Sequence, residues 1–174
     1  KELDVCGHEI ERSCIRFIAM EQPLATDLMY IESSIRVISH VKRIAYLCRN
    51  IAESAATIEG IKVSNKIRGD LEYMADYVQI MLTRGFGSFC NPDISVAREL
   101  ASDDDKVDDL FDIILSHTTE LLTEKTQNAL EIVNIIFIAR YLERIADRVV
   151  NIGERVIFIN THKRPHIEEL KKEE

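Results

Sequence analysis

Glycine and proline are scarce in this chain, at 6 and 3 of 174 residues. So few turn formers argue against a turn-rich β architecture and for helices throughout. The four cysteines, Cys6, Cys14, Cys48 and Cys90, contain no CxxC pair. They are expected to be buried thiols in a reducing compartment rather than disulfides or metal ligands. The five histidines include no HxxxH pair, and His40 and His117 are expected at the surface or at helix edges. No apolar run approaches the ~20 residues that span a bilayer; the longest, Ile135 to Ala139, is short. A secretory signal, a glycine-rich phosphate loop and an evident nucleophile are also missing. Excess positive charge is lacking too: the formal charge is −8 and the pI about 5.2. That argues against non-specific nucleic-acid binding, which needs a basic face, though it leaves room for a local basic patch. The chain begins at Lys1 rather than methionine, as a piece of a longer protein would.

What is present is an internal repeat. Residues 43–53 read RIAYLCRNIAE and residues 144–154 read RIADRVVNIGE. With no gap, Arg43, Ile44, Ala45, Asn50, Ile51 and Glu53 match Arg144, Ile145, Ala146, Asn151, Ile152 and Glu154. The second copy carries Glu143 and Asp147 where the first has Lys42 and Tyr46. One segment thus holds a carboxylate pair, and its twin has the same frame with that pair erased. Such self-similarity sets the architecture.

Apolar spacing predicts a helix from about Asp4 to Glu21, broken at Gln22-Pro23. A long helix follows from about Ala25 to Thr57, with Leu28, Ile31, Ile35, Ile38, Val41, Ala45 and Cys48 on its inner stripe and Gly60 as its stop. A third runs from about Val63 to Arg84, with Leu71, Met74, Ala75, Val78 and Leu82 inward and Gly85 and Gly87 ending it before Asn91-Pro92. A short helix is expected at Ile94 to Leu100, and another starting at Ser102 or Asp103 as N-cap, with Val107, Leu110, Ile114, Leu121 and Leu122 inward. The last spans about Ala129 to Asn160, followed by a polar tail, 163–174, expected to fray. Residues 1–60 then form an incomplete first repeat of two helices. Residues 61–162 form a second repeat of three long helices and a short one. The opening helix of a three-helix unit is absent from the first repeat.

Glu143 and Asp147 lie four apart and share a helix face, which Asn151 and Glu154 continue. Like charges at that spacing repel, and a cation, solvent or a metal offsets the cost. Upstream, Asp104, Asp108 and Asp112 share a face within the run Asp103, Asp104, Asp105, Asp108 and Asp109. Either cluster is also what a solvated helix face or a helix start carries. If the two helices pack side by side, Asp104, Asp108, Glu143 and Asp147 converge as a candidate metal site. An all-oxygen set suits iron, manganese, magnesium or calcium better than zinc. A carboxylate-bound metal pair used for hydrolysis or oxygen chemistry would make an enzyme. Against that stands the lack of a histidine near the acidic helices, His117 apart.

Three stretches together resemble one known family, the PhoU proteins of phosphate signalling. EQPLATDL at 21–28 is similar to the family's QP-x-A-x-DL signature. YLERIADRVVNIGE at 141–154 follows its LERIGD-x-x-x-NIAE signature, and DDKVDDL at 104–110 its D-K-x-V-D stretch. The resemblance runs nearly end to end.

It implies an all-α fold of two three-helix bundles from an internal repeat, with the first bundle incomplete here. It also implies iron or zinc clusters on E(D)xxxD motifs. Carried over by position, the second repeat keeps Asp104, Asp108, Glu143 and Asp147. The first keeps only Asp4 and has lost its other motif to Lys42 and Tyr46, so at most one cluster is expected, in repeat two. The implied role is non-enzymatic: a negative regulator of phosphate uptake and phosphate-starvation signalling. Such a protein acts by contact with a phosphate ABC transporter ATPase and a sensor histidine kinase. It would be cytoplasmic, homodimeric, free of nucleic acid and peripheral to the membrane through its partners. A regulatory module of potassium or sodium-phosphate transport is the alternative. Apolar side chains beside the absent helix are expected to be exposed unless something covers them.

Overall fold

The computed structural model describes residues 1–58, 64–124 and 128–163, with side chains throughout except at Glu124. Five helices follow one another: α1 (Glu2–Glu21), α2 (Ala25–Ala56), α3 (Asn65–Cys90), α4 (Ile94–Glu124) and α5 (Ala129–Thr161). The described residues include no strand. The fold is all-α, as the scarcity of turn residues and the helical spacing predict.

Helix ends follow from local chemistry. Gln22 takes the left-handed conformation, φ 47°, and its N–H returns to the Ile18 carbonyl to close α1. Pro23 then denies the helix its next donor. Ser64 caps α3 by accepting the Ile67 N–H at 3.3 Å. Gly60 and Val63, placed by sequence at the neighbouring helix ends, and the tail from residue 164 lie outside the described residues.

Two expected breaks do not occur. α3 runs through Gly85 and Gly87 to Cys90, because Gly85 is a packing residue and not a stop: a Cβ there would meet Val149 Cγ1 of α5 at 2.5 Å. Likewise, Ile94–Leu100 and the helix expected from Ser102 are one element. Its cap is Asp93, whose Oδ1 accepts from the Ser95 N–H (2.9 Å), the Ser95 hydroxyl (2.7 Å) and the Val96 N–H (3.3 Å). Those bonds hold the Asp93 carboxyl below its usual pKa, the Ser95 hydroxyl contributing most. Asp103 is therefore no N-cap. It is buried in mid-helix and bonded to α3 through Tyr77 and Arg84.

Helices α3, α4 and α5 pack against one another in all three pairs, while α2 packs on α5 and on α1. α5 is the shared central element, burying Ile132, Ile135, Ala139, Ile145, Ala146, Val149, Ile152 and Val156 almost completely. One continuous core joins Ala139, Ile145, Ala146, Val149 and Ile152 of α5 to Val37, Ile44 and Leu47 of α2, Met74, Val78 and Met81 of α3, and Leu100, Val107 and Ile114 of α4, while Val156 packs with Ile157 and Ala97 in a second, smaller cluster. Full burial of such side chains stabilises by roughly 1.5–3 kcal/mol each.

The inner face of α2 is rotated from the expected stripe. Val37, Ile44 and Leu47 are buried, whereas Leu28, Ala45 and Cys48 are exposed. The cause is that α2 has two apolar neighbours on different sides, α5 and α1, and a single-stripe reading averages their directions. At matched repeat positions Ala146 is fully buried and Ala45 exposed. Cys6, Cys48 and Cys90 are also exposed, with Cys14 half-buried, contrary to the expected buried thiols. On α1, which packs on α2, Val5, Ile15, Phe17 and Met20 face solvent.

Candidate functional site

Glu143 sits on α5 where that helix meets α4, and only 9% of it is exposed. Its Oε1 accepts from Arg140 Nη1 at 2.6 Å, one turn away. Its Oε2 is buried without a hydrogen-bond partner among the described residues. An unsatisfied buried carboxylate oxygen is costly. Burial, then the charges of Asp147 and Asp108, push the Glu143 carboxyl above its usual pKa; Arg140 and Arg144 oppose the shift. The α4–α5 seam therefore brings Glu143, Asp147 and Asp108 within electrostatic reach.

Asp104 lies one turn before Asp108 on α4 and is buried, while Asp108 is exposed and Asp147 half-buried. In the present rotamers no group of three or more His, Cys, Asp or Glu side chains among the described residues is arranged to hold a metal ion. The donor chemistry nevertheless fits a hard cation. Carboxylate oxygens gather on one seam, one oxygen is orphaned, and mutual repulsion leaves Glu143 short of positive charge.

Asp103, from the same acidic run, has a structural role. Asp103 accepts from the Tyr77 hydroxyl at 2.6 Å, from Lys106 Nζ at 3.2 Å and from Arg84. Burial, then the bond to Asp103, pushes the Tyr77 phenol up. His117 Nδ1 lies 2.9 Å from Asp70 Oδ2, tying α4 to α3 roughly 13 Å along the helix from Asp108 at ~1.5 Å per residue. It is half-buried and engaged in that pair instead of facing the carboxylate seam.

The first repeat differs in kind. Lys42 is bound to Glu11 of α1 at 2.8 Å, and Asp4 stands exposed on α1. Beside Lys42, α2 and Arg148 of α5 border an open cleft of about 530 Å³ lined by Ser39, His40, Lys42, Arg43, Tyr46 and Arg148. Sequence reasoning missed this cleft. Its signal was the Lys42 and Tyr46 replacements, read as the loss of one site rather than the gain of another. His40 is half-buried there, and burial followed by the charges of Arg148, Arg155 and Arg36 holds its pKa down to about 4.

No described helix is long and apolar enough to cross a membrane. A family model described as the PhoU domain matches residues 1–55 and 71–156. The chain is 45% identical over 165 residues to the phosphate-specific transport system accessory protein PhoU homolog 1 of Methanothermobacter thermautotrophicus, covering 95% of this chain and 75% of that protein. It is 28% identical over 162 residues to the phosphate-specific transport system accessory protein PhoU homolog of Clostridium acetobutylicum, covering 92% and 74%. Among solved structures, PhoU from Pseudomonas aeruginosa superposes with a TM-score of 0.86 at 26% identity, over 93% of this chain and 78% of that one. The phosphate transport system regulatory protein PhoU from Streptococcus pneumoniae shares the fold with the same TM-score of 0.86, at 21% identity over 95% and 77%.

Proposed function

The chain belongs to the PhoU family, and on that premise we propose that it is a regulatory accessory of phosphate-specific transport that works by protein contact and performs no chemistry of its own. The observation that carries the reading is the 45% identity, across 95% of the chain, to a protein named for that accessory role. The finer reading is a negative regulator that couples a phosphate ABC transporter ATPase to a sensor histidine kinase. It would work in the cytoplasm as a homodimer, with membrane contact only through those partners. The formal charge of −8 supports a protein partner over nucleic acid.

The seam between α4 and α5 is the working site in this reading. Asp104, Asp108, Glu143 and Asp147 would hold an iron or zinc cluster. Bound there, such a cluster would supply positive charge to the carboxylates of the seam. The protein's own contribution is positional: Arg140 holds one oxygen of Glu143 and the other is buried without a hydrogen-bond partner among the described residues.

Purified chain and the phosphate transporter ATPase from the same organism, mixed at high and low phosphate, test the role. Phosphate-dependent complex formation that slows ATP hydrolysis is the expected result. Absence of a complex at every phosphate level would overturn the contact mechanism.

A further inference from the structure

The cleft between α2 and α5 collects positive charge on a protein that is otherwise acidic. None of its six lining residues is acidic, and three are cations: Lys42, Arg43 and Arg148. Lys42 is engaged by Glu11 at 2.8 Å. Arg148 Nε is buried with no hydrogen-bond partner among the described residues. A buried guanidinium nitrogen left unbonded is costly, and it keeps the Arg148 charge beside the cleft short of compensation. Just outside, Arg36 and Arg155 converge on the single carboxylate of Glu32, at 2.9 and 3.2 Å. The guanidiniums of Arg43 and Arg49 both stand over the Tyr46 ring, at 5.4 and 5.5 Å. That arrangement keeps Arg43 against the face of the Tyr46 ring.

The internal repeat gives this cluster its meaning. Lys42 and Tyr46 stand where the other copy has Glu143 and Asp147. An anionic frame has become a cationic one at the same helical register. Guanidinium, ammonium and hydroxyl donors together are the groups that recognise a tetrahedral oxyanion. The low pKa of His40, caused first by burial and then by three arginines, agrees with a positive local potential.

We propose that this cleft is a binding site for a phosphoryl-type oxyanion, held by Lys42, Arg43 and Arg148 with hydroxyl donors from Ser39 and Tyr46. The cleft is larger than one phosphate, so a free phosphate, a phosphate ester and a lipid phosphomonoester headgroup share the recognised chemistry. The inference stands on the charge and geometry of α2 and α5, and does not depend on the transport role or on metal at the other seam.

The test uses the whole chain with three probes: inorganic phosphate, adenosine monophosphate, and vesicles containing phosphatidic acid. Binding is read by calorimetry or vesicle sedimentation, and its place by the NMR shift of the His40 ring, assigned with His40→Gln. The expected result is binding that moves His40 and weakens about tenfold or more in Arg43→Gln and Arg148→Gln. Binding of the soluble probes assigns a free phosphoryl ligand, whereas binding of vesicles alone assigns a lipid headgroup. Arg43 is exposed, so its variant folds even if the Arg148 variant does not. No binding of any probe, with phosphate tried up to ~10 mM where a millimolar site would be mostly filled, overturns the proposal. Binding that ignores Arg43→Gln or leaves His40 unmoved overturns it as well.

Discussion

Gly153 and Ala97 lie backbone to backbone: a Cβ on Gly153 would stand 3.0 Å from the Ala97 carbonyl oxygen and 3.1 Å from Leu100 Cδ1. This approach sets how closely α5 packs on α4, and hence the width of the carboxylate seam two turns earlier. Alanine has the higher helix propensity by ~1 kcal/mol. A carbonyl oxygen cannot move aside cheaply, however, and overpacking costs ~1–3 kcal/mol. Gly153→Ala is therefore expected to lower stability by up to about 2 kcal/mol net in denaturant unfolding. Gly87→Ala, with nothing within 4 Å, is expected to raise it by about 0.4–1 kcal/mol. Equal effects at the two sites would contradict the packing argument.

Asp103 anchors α3 to α4, being 6% exposed and bonded to Tyr77, Arg84 and Lys106. Asp103→Ala takes away the acceptor of the Tyr77 hydroxyl and leaves Arg84 with Glu99 alone, and is expected to cost about 1–3 kcal/mol. The exposed Asp109→Ala should stay within ~0.5 kcal/mol. Urea unfolding of both variants checks the contrast. A tolerated Asp103→Ala would mean that the run of aspartates is uniformly superficial.

Much of this fold is legible in the sequence because helical periodicity survives wherever a helix buries a single face. Met74, Val78, Val107 and Ile114 are inward as their spacing predicts. Legibility fails where a tertiary contact overrides a local signal. Gly85 reads as a stop but serves a close approach to Val149. Asp103 reads as a cap but is held in mid-helix by Tyr77 and Arg84. α2, which carries apolar residues for two neighbours, yields a stripe that misplaces Ala45 and Cys48. At the candidate site, the pairing of Glu143 with Asp147 is visible from spacing alone. The buried, unbonded oxygen of Glu143 and the Arg148 cleft depend on how α5 meets α4 and α2, which no spacing encodes.

His40 should give stability a pH dependence. In the unfolded chain its imidazole takes a proton near pH 6.5, and in the folded chain only near 4, because of burial and the facing charges of Arg148, Arg155 and Arg36. The unfolded state thus binds more protons across that window. The contribution of neutral His40 is complete above pH 6.5, falls as the pH drops, and is gone below about 4. In phosphate-free buffer, His40→Gln is expected to lose less stability across this window than the parent protein. Identical slopes would contradict a desolvated His40.

Glu143 has the opposite linkage. Its folded pKa is raised, first by burial and then by Asp147 and Asp108, so in the metal-free chain its stability contribution is present below the unfolded value of 4.5 and lost as pH rises through the folded one. A bound cation would cancel that loss, since it favours the ionised carboxylate. Elemental analysis of untagged protein purified without chelator, beside the Glu143→Ala/Asp147→Ala and Lys42→Ala variants, addresses the carboxylate seam directly. Stoichiometric iron or zinc in the parent and in Lys42→Ala, and its loss from the double variant, is the predicted result. Metal retained in the double variant, or absent from all three proteins, would contradict the assignment of Asp104, Asp108, Glu143 and Asp147 as the metal-holding face.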